Sequence, residues 1–229
     1  MEYVVSDIHG NYELLVKLLK KIKFSQNDTL YVLGDVIDKG KDVRKLLDLL
    51  FGKLKNNCFV LLGNHEFEFL KYFSNLTYMD LSDEKILIEL KKQFEIDSLT
   101  IQDVDNLVNL PFFYEDKDFI LVHAGISFDD NGNPLSPEKS MHQDLFYSRT
   151  FKDEKVIHPE MKCVIFGHTP TVYVGEKGKI LKYQKENTVG SNAKDFYKIH
   201  IDTGNYLTGI LGCLRLDDMQ EFYVNEFED

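Results

Sequence analysis

The chain has 229 residues, 43% of them apolar, with 17 Phe and 12 Tyr, enough for one large domain with a substantial core. Its formal net charge is −11, and its Lys and Arg are scattered rather than gathered in a stripe, which weighs against a surface built for long nucleic acid. No apolar run reaches the ~18 residues of a membrane span, and the start Met1-Glu2-Tyr3-Val4-Val5 has neither a basic nor an apolar leader, so a cytoplasmic protein without membrane contact is expected.

In chain order, Tyr3–Val5 reads as a strand. Apolar residues at 12, 14, 15, 18, 19 and 22 give a helical period over Tyr12–Ile22. Thr29–Leu33 is a strand, Val43–Leu50 a helix, Asn57–Leu62 a strand, and His65–Phe73 starts a helix. This βαβαβ opening predicts a parallel sheet. Ser74 to Leu110 is mostly helical in pattern, with Leu81–Phe94 the clearest helix. Strands follow at Phe112–Tyr114, Phe119–Val122, Cys163–Phe166, Thr171–Val174, Ile180–Lys182, Tyr197–Ile201, Gly212–Leu216 and Glu221–Val224. The expected fold class is α/β, with two packed mixed β-sheets flanked by helices. No repeat, low-complexity segment or Pro/Gly-rich linker occurs. Residues 1–229 therefore read as a single domain, with a helical insertion near 74–110 expected to shape substrate access. Cys58, Cys163 and Cys213 are far apart and odd in number, as expected of reduced thiols.

A rhythm runs through the strands. After Tyr3-Val4-Val5 comes Ser6-Asp7-Ile8-His9-Gly10. Tyr31-Val32-Leu33 leads to Gly34-Asp35-Val36-Ile37-Asp38-Lys39-Gly40, and Phe59-Val60-Leu61-Leu62 to Gly63-Asn64-His65-Glu66. Phe119–Val122 precedes His123-Ala124-Gly125, and Val164-Ile165-Phe166 precedes Gly167-His168-Thr169. Sites in α/β sheets form beyond the carboxyl ends of strands, so five such ends can converge. Asp, Asn and His supply oxygen and imidazole ligands suited to Mn, Fe, Zn, Co or Ni, and no Cys takes part. A carboxylate on a tight turn can bridge two ions, and two ions can clamp a phosphate ester and activate water. By contrast, His142 and His158 read as ordinary histidines, and His200 carries no expected chemistry. Phe128–Pro134 reads as a turn rather than a calcium loop. Asp38 could cap a helix, but its place three residues after Asp35 and before Lys39-Gly40 favours a catalytic role.

Taken together from Ser6 to about Gly204, Asp-x-His-Gly, Gly-Asp-x-x-Asp-Lys-Gly, Gly-Asn-His-Glu, His-Ala-Gly and Gly-His-Thr resemble the calcineurin-like metallophosphoesterases. Within them the set is most similar to bacterial and phage serine/threonine protein phosphatases and to symmetrical diadenosine tetraphosphatases. His200-Ile201-Asp202-Thr203-Gly204 resembles a late motif of that group. The resemblance implies two divalent metal ions, with Mn the first expectation. Asp7, His9 and Asp35 would hold one, Asn64, His123 and His168 the other, and Asp35 would bridge. It implies direct in-line attack by a metal-bridging hydroxide, with no phosphoenzyme. His65, oriented by Asp38, would be the general acid. Lys39 and Arg149 would bind phosphate. Lys39 stands where the family commonly has Arg, and supplies charge without a planar fork. Ser6 stands where Gly is frequent, and Tyr147 where Trp is often found. The substrate class expected first is a protein phosphorylated on Ser or Thr. The alternatives are a dinucleoside polyphosphate, or no substrate at all in a non-catalytic metal-binding scaffold.

Overall fold

The computed structural model describes residues 1–79, 81–96, 98–153 and 162–227; His158 lies outside them. Strands β1 (Glu2–Val5), β2 (Thr29–Val32) and β3 (Cys58–Val60) run parallel, and β9 (Ile210–Arg215) and β10 (Glu221–Asn225) extend this sheet antiparallel in the order β10-β9-β1-β2-β3. The second sheet holds β4 (Phe113–Glu115), β5 (Phe119–Val122), β6 (Cys163–Phe166), β7 (Leu181–Gln184) and β8 (Phe196–His200), ordered β4-β5-β6-β8-β7. Here β5, β6 and β8 are parallel, and the two edge strands are antiparallel. Each sheet therefore carries three neighbouring parallel strands.

Side-chain alternation sorts the core into two layers. Val4, Tyr31, Leu33, Leu61 and Leu214 pack with Phe119, Leu121, Cys163 and Ile165 between the sheets. Their neighbours Tyr3, Val5, Leu30 and Val32 face the other way, toward the helices. A one-residue slip in β1 or β2 would exchange these faces, so the register that places the loops is tightly set. Helix α1 (Tyr12–Lys21) begins at Asn11, whose side chain accepts the Leu14 N–H at 3.3 Å, and buries Leu14, Leu15 and Leu18. Helix α2 (Val43–Leu47) passes into a π-helical turn at Asp48–Lys53. Helices α3 (Asn64–Thr77), α4 (Asp83–Phe94) and α5 (Ile101–Val108) fill the stretch expected to be helical, and α6 (His142–Tyr147) and α7 (Asn205–Thr208) follow. No helix of the described residues is long and apolar enough to cross a membrane.

One expected strand is absent. Thr171–Val174 is a short 3₁₀ helix between Pro170 and Gly175, whose φ of 91° ends it. Four residues of alternating β-branched character fit one helical turn as well as a strand, and Pro170 followed by a left-handed glycine decides for the turn. The remaining boundaries move by one or two residues at most strand ends, and α3 continues to Thr77.

The loops beyond the parallel strands touch through glycines. Gly34 has φ 85°, and a Cβ there would lie 2.5 Å from the Gly63 backbone nitrogen. Alanine at this position would be both strained and in collision. Gly34→Ala is expected to cost about 2 kcal/mol or more. Gly52→Ala, in a helical turn with nothing within 4 Å of the new Cβ, should leave stability unchanged or raise it by up to ~1 kcal/mol. Urea denaturation of both variants checks this; equal midpoints would show that the Gly34–Gly63 approach does not constrain the fold.

Candidate metal centre

Backbone bonds lace the strand-end loops together. The His9 and Gly10 N–H groups donate to the carbonyls of Asp35 (2.8 Å) and Val36 (2.9 Å), and the Gly167 N–H donates to the His123 carbonyl (2.7 Å). Six site residues adopt left-handed φ: Asp7 (52°), His9 (48°), Asp35 (52°), Asp38 (69°), Lys39 (64°) and His168 (67°). Such backbone is uncommon for residues other than glycine and costs of the order of 1 kcal/mol or more at each position, so the surrounding bonds must over-determine it.

The principal bond of this kind is made by Glu66, which is fully buried on the first turn of α3. Its Oε2 accepts the N–H groups of Asp35 (2.8 Å) and Gly63 (3.0 Å), and its Oε1 those of Val36 (2.9 Å) and Ile37 (3.0 Å). One carboxylate thus fixes the Gly-Asp-x-x-Asp loop against the Gly-Asn-His-Glu loop. In the sequence, the one signal for this role of Glu66 is its place three residues after Gly63, where a glutamate reaches back to cap a helix.

Around Asp35 two donor clusters assemble. On one side its Oδ1 lies 3.6 Å from His123 Nε2. His123 Nδ1 donates to the Leu33 carbonyl at 2.7 Å, so in the neutral ring Nε2 presents a lone pair. That lone pair is 2.9 Å from Asn64 Oδ1, itself an acceptor, and 3.2 Å from His168 Nδ1, which is 2.8 Å from the same Asn64 oxygen. The His123–Asn64 contact has no proton to share. Two acceptors this close repel unless a cation relieves them, so the donor set fits a metal ion. On the other side Asp35 Oδ2 lies 3.7 Å from both His9 Nε2 and His65 Nε2. His9 Nδ1 is 3.2 Å from the Ile37 carbonyl, which again leaves Nε2 facing the carboxylate. Geometry alone gathers His9, Asp35 and His65 into one group and Asp35, His123 and His168 into another.

Asp7 stands a step back from both groups. It is buried, and its Oδ2 accepts the Ser6 hydroxyl and the His168 N–H (3.0 Å). Burial pushes its carboxyl up, but His123, His9 and these donors prevail and hold it below the usual range. Asp35 is raised instead, by burial and then by Asp7 and Glu66. Burial holds His9 and His168 down at about 3, so both rings are neutral and ligand-ready at neutral pH. His65 behaves oppositely. Burial pulls it down, but the bond from its Nδ1 to Asp38 Oδ2 (2.6 Å) and the charge of Asp35 raise it above its ordinary value. Asp38 is drawn down to about 2 by the same bond.

A cavity of about 120 Å³ lies over the centre, lined by Asp35, Asn64, His65 and His168, by Lys39 and Arg149, and by Pro170, Tyr173 and Tyr206. Both expected phosphate-binding cations therefore reach it. Arg149 is carried by the segment after α6, where Phe151 N–H donates to Ser148 Oγ at 3.2 Å and buried Lys198 donates to the carbonyls of Phe151 (2.7 Å) and Lys152 (2.9 Å). The sixth parallel strand end, after β8, delivers three residues to which sequence reading gave no role. Asp202 is buried and raised well above the carboxylate range by burial and Asp7. Asn205 Nδ2 donates to the Asp7 carbonyl at 2.5 Å, and Tyr206 borders the cavity. His200 stacks on Phe166 at 4.6 Å between ring centroids, with Nε2 2.5 Å from the Thr169 carbonyl, away from both clusters.

A model of the calcineurin-like phosphoesterases matches residues 3–190. A symmetrical bis(5'-nucleosyl)-tetraphosphatase of Wigglesworthia glossinidia brevipalpis is 35% identical over 127 residues, covering 54% of this chain and 44% of that protein. The chain thus matches under half the length of this relative. Among solved structures, a protein provisionally described as a diadenosine tetraphosphatase superposes with a TM-score of 0.69 at 20% identity, over 100% of this chain and 94% of that one. A Saccharomyces cerevisiae serine/threonine phosphatase similar to human PP5 gives 0.57 at 16% identity, over 100% and 80%. At these identities the two structures speak for the fold.

The electrostatics of the centre predict opposite titrations. In the chelated, metal-free protein, the imidazoles of His9 and His168 should stay neutral from pH 8 down to pH 5, because burial has moved their protonation to about 3. His65 should protonate above the ~6.5 of a free imidazole. Nitrogen NMR of labelled imidazoles reads each ring separately; titration of His9 or His168 near 6.5 would contradict the closed, ligand-ready site.

Proposed function

The chain belongs to the calcineurin-like phosphoesterase family, and from that premise we propose that it hydrolyses phosphate esters and anhydrides at a two-metal centre, with dinucleoside polyphosphates as its substrate class. The observation that carries this reading is Asp35, whose two oxygens face two separate donor clusters at 3.6–3.7 Å. Asp7, His9 and Asp35 would hold one ion, Asn64, His123 and His168 the other, and the hard nitrogen and oxygen donors suit Mn first. Bound there, two divalent cations would neutralise the phosphoryl oxygens and lower the pKa of a shared water.

The residues of the chain account for the rest. Lys39 and Arg149 enter the cavity as cations and would grip the non-bridging oxygens. Asp38 holds His65 Nδ1 at 2.6 Å, so Nε2 points to the centre, and the same bond raises the pKa of the ring, whose protonated form would carry on Nε2 the proton a leaving oxygen needs. A poised acid of this kind has no use in a non-catalytic scaffold.

Two observations bear on the substrate. The relatives' names support the anhydride class, ahead of the phosphorylated protein that sequence alone puts first. The cavity of about 120 Å³ over the centre is smaller than the ~300 Å³ at which whole-ligand pockets begin. It has room for one phosphoryl group and would leave the remainder of a substrate outside, which keeps phosphoserine and phosphothreonine proteins as the second reading. A neighbouring cavity of about 420 Å³ shares Lys39 and Tyr206, is lined also by His9, and offers room for a nucleoside portion. Another, of about 750 Å³, lies between residues 38–45 and residues 94–96 and 98, which supports a role for the 74–110 helices in substrate access.

With Mn present, hydrolysis of diadenosine tetraphosphate should exceed that of a phosphothreonine peptide at equal concentration; the reverse order would move the assignment to a protein phosphatase. No hydrolysis of either substrate or of p-nitrophenyl phosphate with Mn, Co, Ni or Fe would remove the enzymatic reading. His65→Asn should retain both metals by elemental analysis. It should lose 10²–10⁴-fold of turnover on an alkyl phosphate ester, whose alkoxide needs a proton, and less on p-nitrophenyl phosphate, whose phenolate does not. Loss of one metal would make His65 a ligand instead.

A further inference from the structure

Lys39 poses a physical problem. A lysine ammonium is a point charge on a flexible stem, so a useful phosphate contact requires something to hold it in place. A carboxylate partner would hold it but would also cancel its charge. Among the described residues Lys39 Nζ forms no ion pair. It lies 2.9 Å from His9 Nε2 and 4.2 Å from the centroid of the Tyr206 ring. The ring meets His9 edge to face, with centroids 5.3 Å apart at 84°. An aromatic face attracts a cation through its quadrupole and leaves the net charge intact.

The ring is itself fixed. Tyr206 sits on the single turn of α7, next to Asn205, whose side chain is bonded to the Asp7 carbonyl. Lys39 is anchored at its other end by left-handed backbone (φ 64°) and by its N–H donating to Asp38 Oδ1 at 2.8 Å. The late strand-end loop and the second motif thus meet across the cavity through one cation and one ring. His9 Nε2 can serve only one cation, so a metal that takes its lone pair leaves the ring as the remaining hold on Lys39.

We propose that Tyr206 is a positioning residue, which holds the Lys39 ammonium over the cavity so that a lone lysine can bind the phosphoryl group. The proposal rests on the metallophosphoesterase reading above. Tyr206 is 41% exposed at the rim, so replacing it need not disturb the core.

The test is a double-mutant cycle on the Mn-loaded protein, read by calorimetric binding of inorganic phosphate and by kcat and KM for p-nitrophenyl phosphate. Tyr206→Phe keeps the ring and should bind phosphate like the parent. Tyr206→Leu removes the quadrupole and should weaken phosphate about 3- to 30-fold, with two metals per chain retained. In a Lys39→Ala background, the same Tyr206→Leu change should add nothing. Equal phosphate affinity of Tyr206→Leu and the parent overturns the proposal. So does an undiminished effect in the Lys39→Ala background, which would mean that the tyrosine acts without the lysine. Should Tyr206→Leu lose metal, Tyr206→Met enters the same cycle. A parent protein inactive toward p-nitrophenyl phosphate would instead sink the metallophosphoesterase reading, an outcome distinct from any result of the cycle.

Discussion

A carboxylate with no access to water is costly unless its lone pairs are filled, and Glu66 meets that condition by taking four backbone N–H groups from two loops. The centre depends on this bond more than on any other. Asp35 can face two clusters only because its backbone turns left-handed at the right place, and Glu66 holds that turn from the Asp35 N–H onward. The same carboxylate caps the helix whose first residues are Asn64 and His65. Relative placement of Asp35, Asn64 and His65 therefore reduces to one buried side chain. The Gly34–Gly63 contact is the steric condition for it, since any side chain there would push the two loops apart.

What Glu66 organises is electrostatically unfavourable on its own. Asp7, Asp35 and Asp202 are buried near one another, and the latter two are driven toward their neutral forms. Histidine nitrogens and an amide oxygen are pressed to within 2.8–3.2 Å of one another. Left-handed backbone at six positions adds strain. Charge and strain of this kind are tolerated when the surrounding frame is rigid, and divalent cations would relieve the charge part directly. Two sheets with register fixed by a double-layered core supply that frame, and the strain is concentrated where it sets ligand direction.

The legibility of the site follows from how local each feature is. Strand followed by glycine and a ligand is a pattern of neighbours, so Asp7, His9, Asp35, Asn64, His123 and His168 could be picked out from single segments. The parallel strands and the two-sheet class were equally readable, because alternation and helical period are local. Glu66 was within view but silent, since its partners lie some thirty residues away. Tyr206 and Asn205 had no local signal at all. Their roles arise because β8 is a sixth parallel strand, and only pairing across the sheet shows that its end points at the same place. Thr171–Val174 turns where its sequence suggests a strand, because a four-residue segment rich in β-branched residues carries no periodicity long enough to separate the two.

Centre and surroundings differ in what they can select. On the reading proposed above, everything fixed by Glu66, Asp35 and the histidines would act on one phosphoryl group in the small cavity over the centre. Such chemistry would be indifferent to whether the leaving oxygen belongs to a serine, a threonine or another phosphate, except through the need for a proton from His65. Discrimination would then come from residues outside both donor clusters: the exposed rim of Tyr173 and Tyr206, and the walls formed by residues 38–45, 94–96 and 98. Lys39 lies on the boundary between the two regions. It belongs to the second strand-end motif by sequence and to the rim by contact, and a point charge beside a ring would accept more phosphate orientations than a planar fork does. On the reading proposed above, a lysine at that position would relax geometric selection at the phosphoryl group and shift the burden of specificity outward, to the surface that would receive the rest of the substrate.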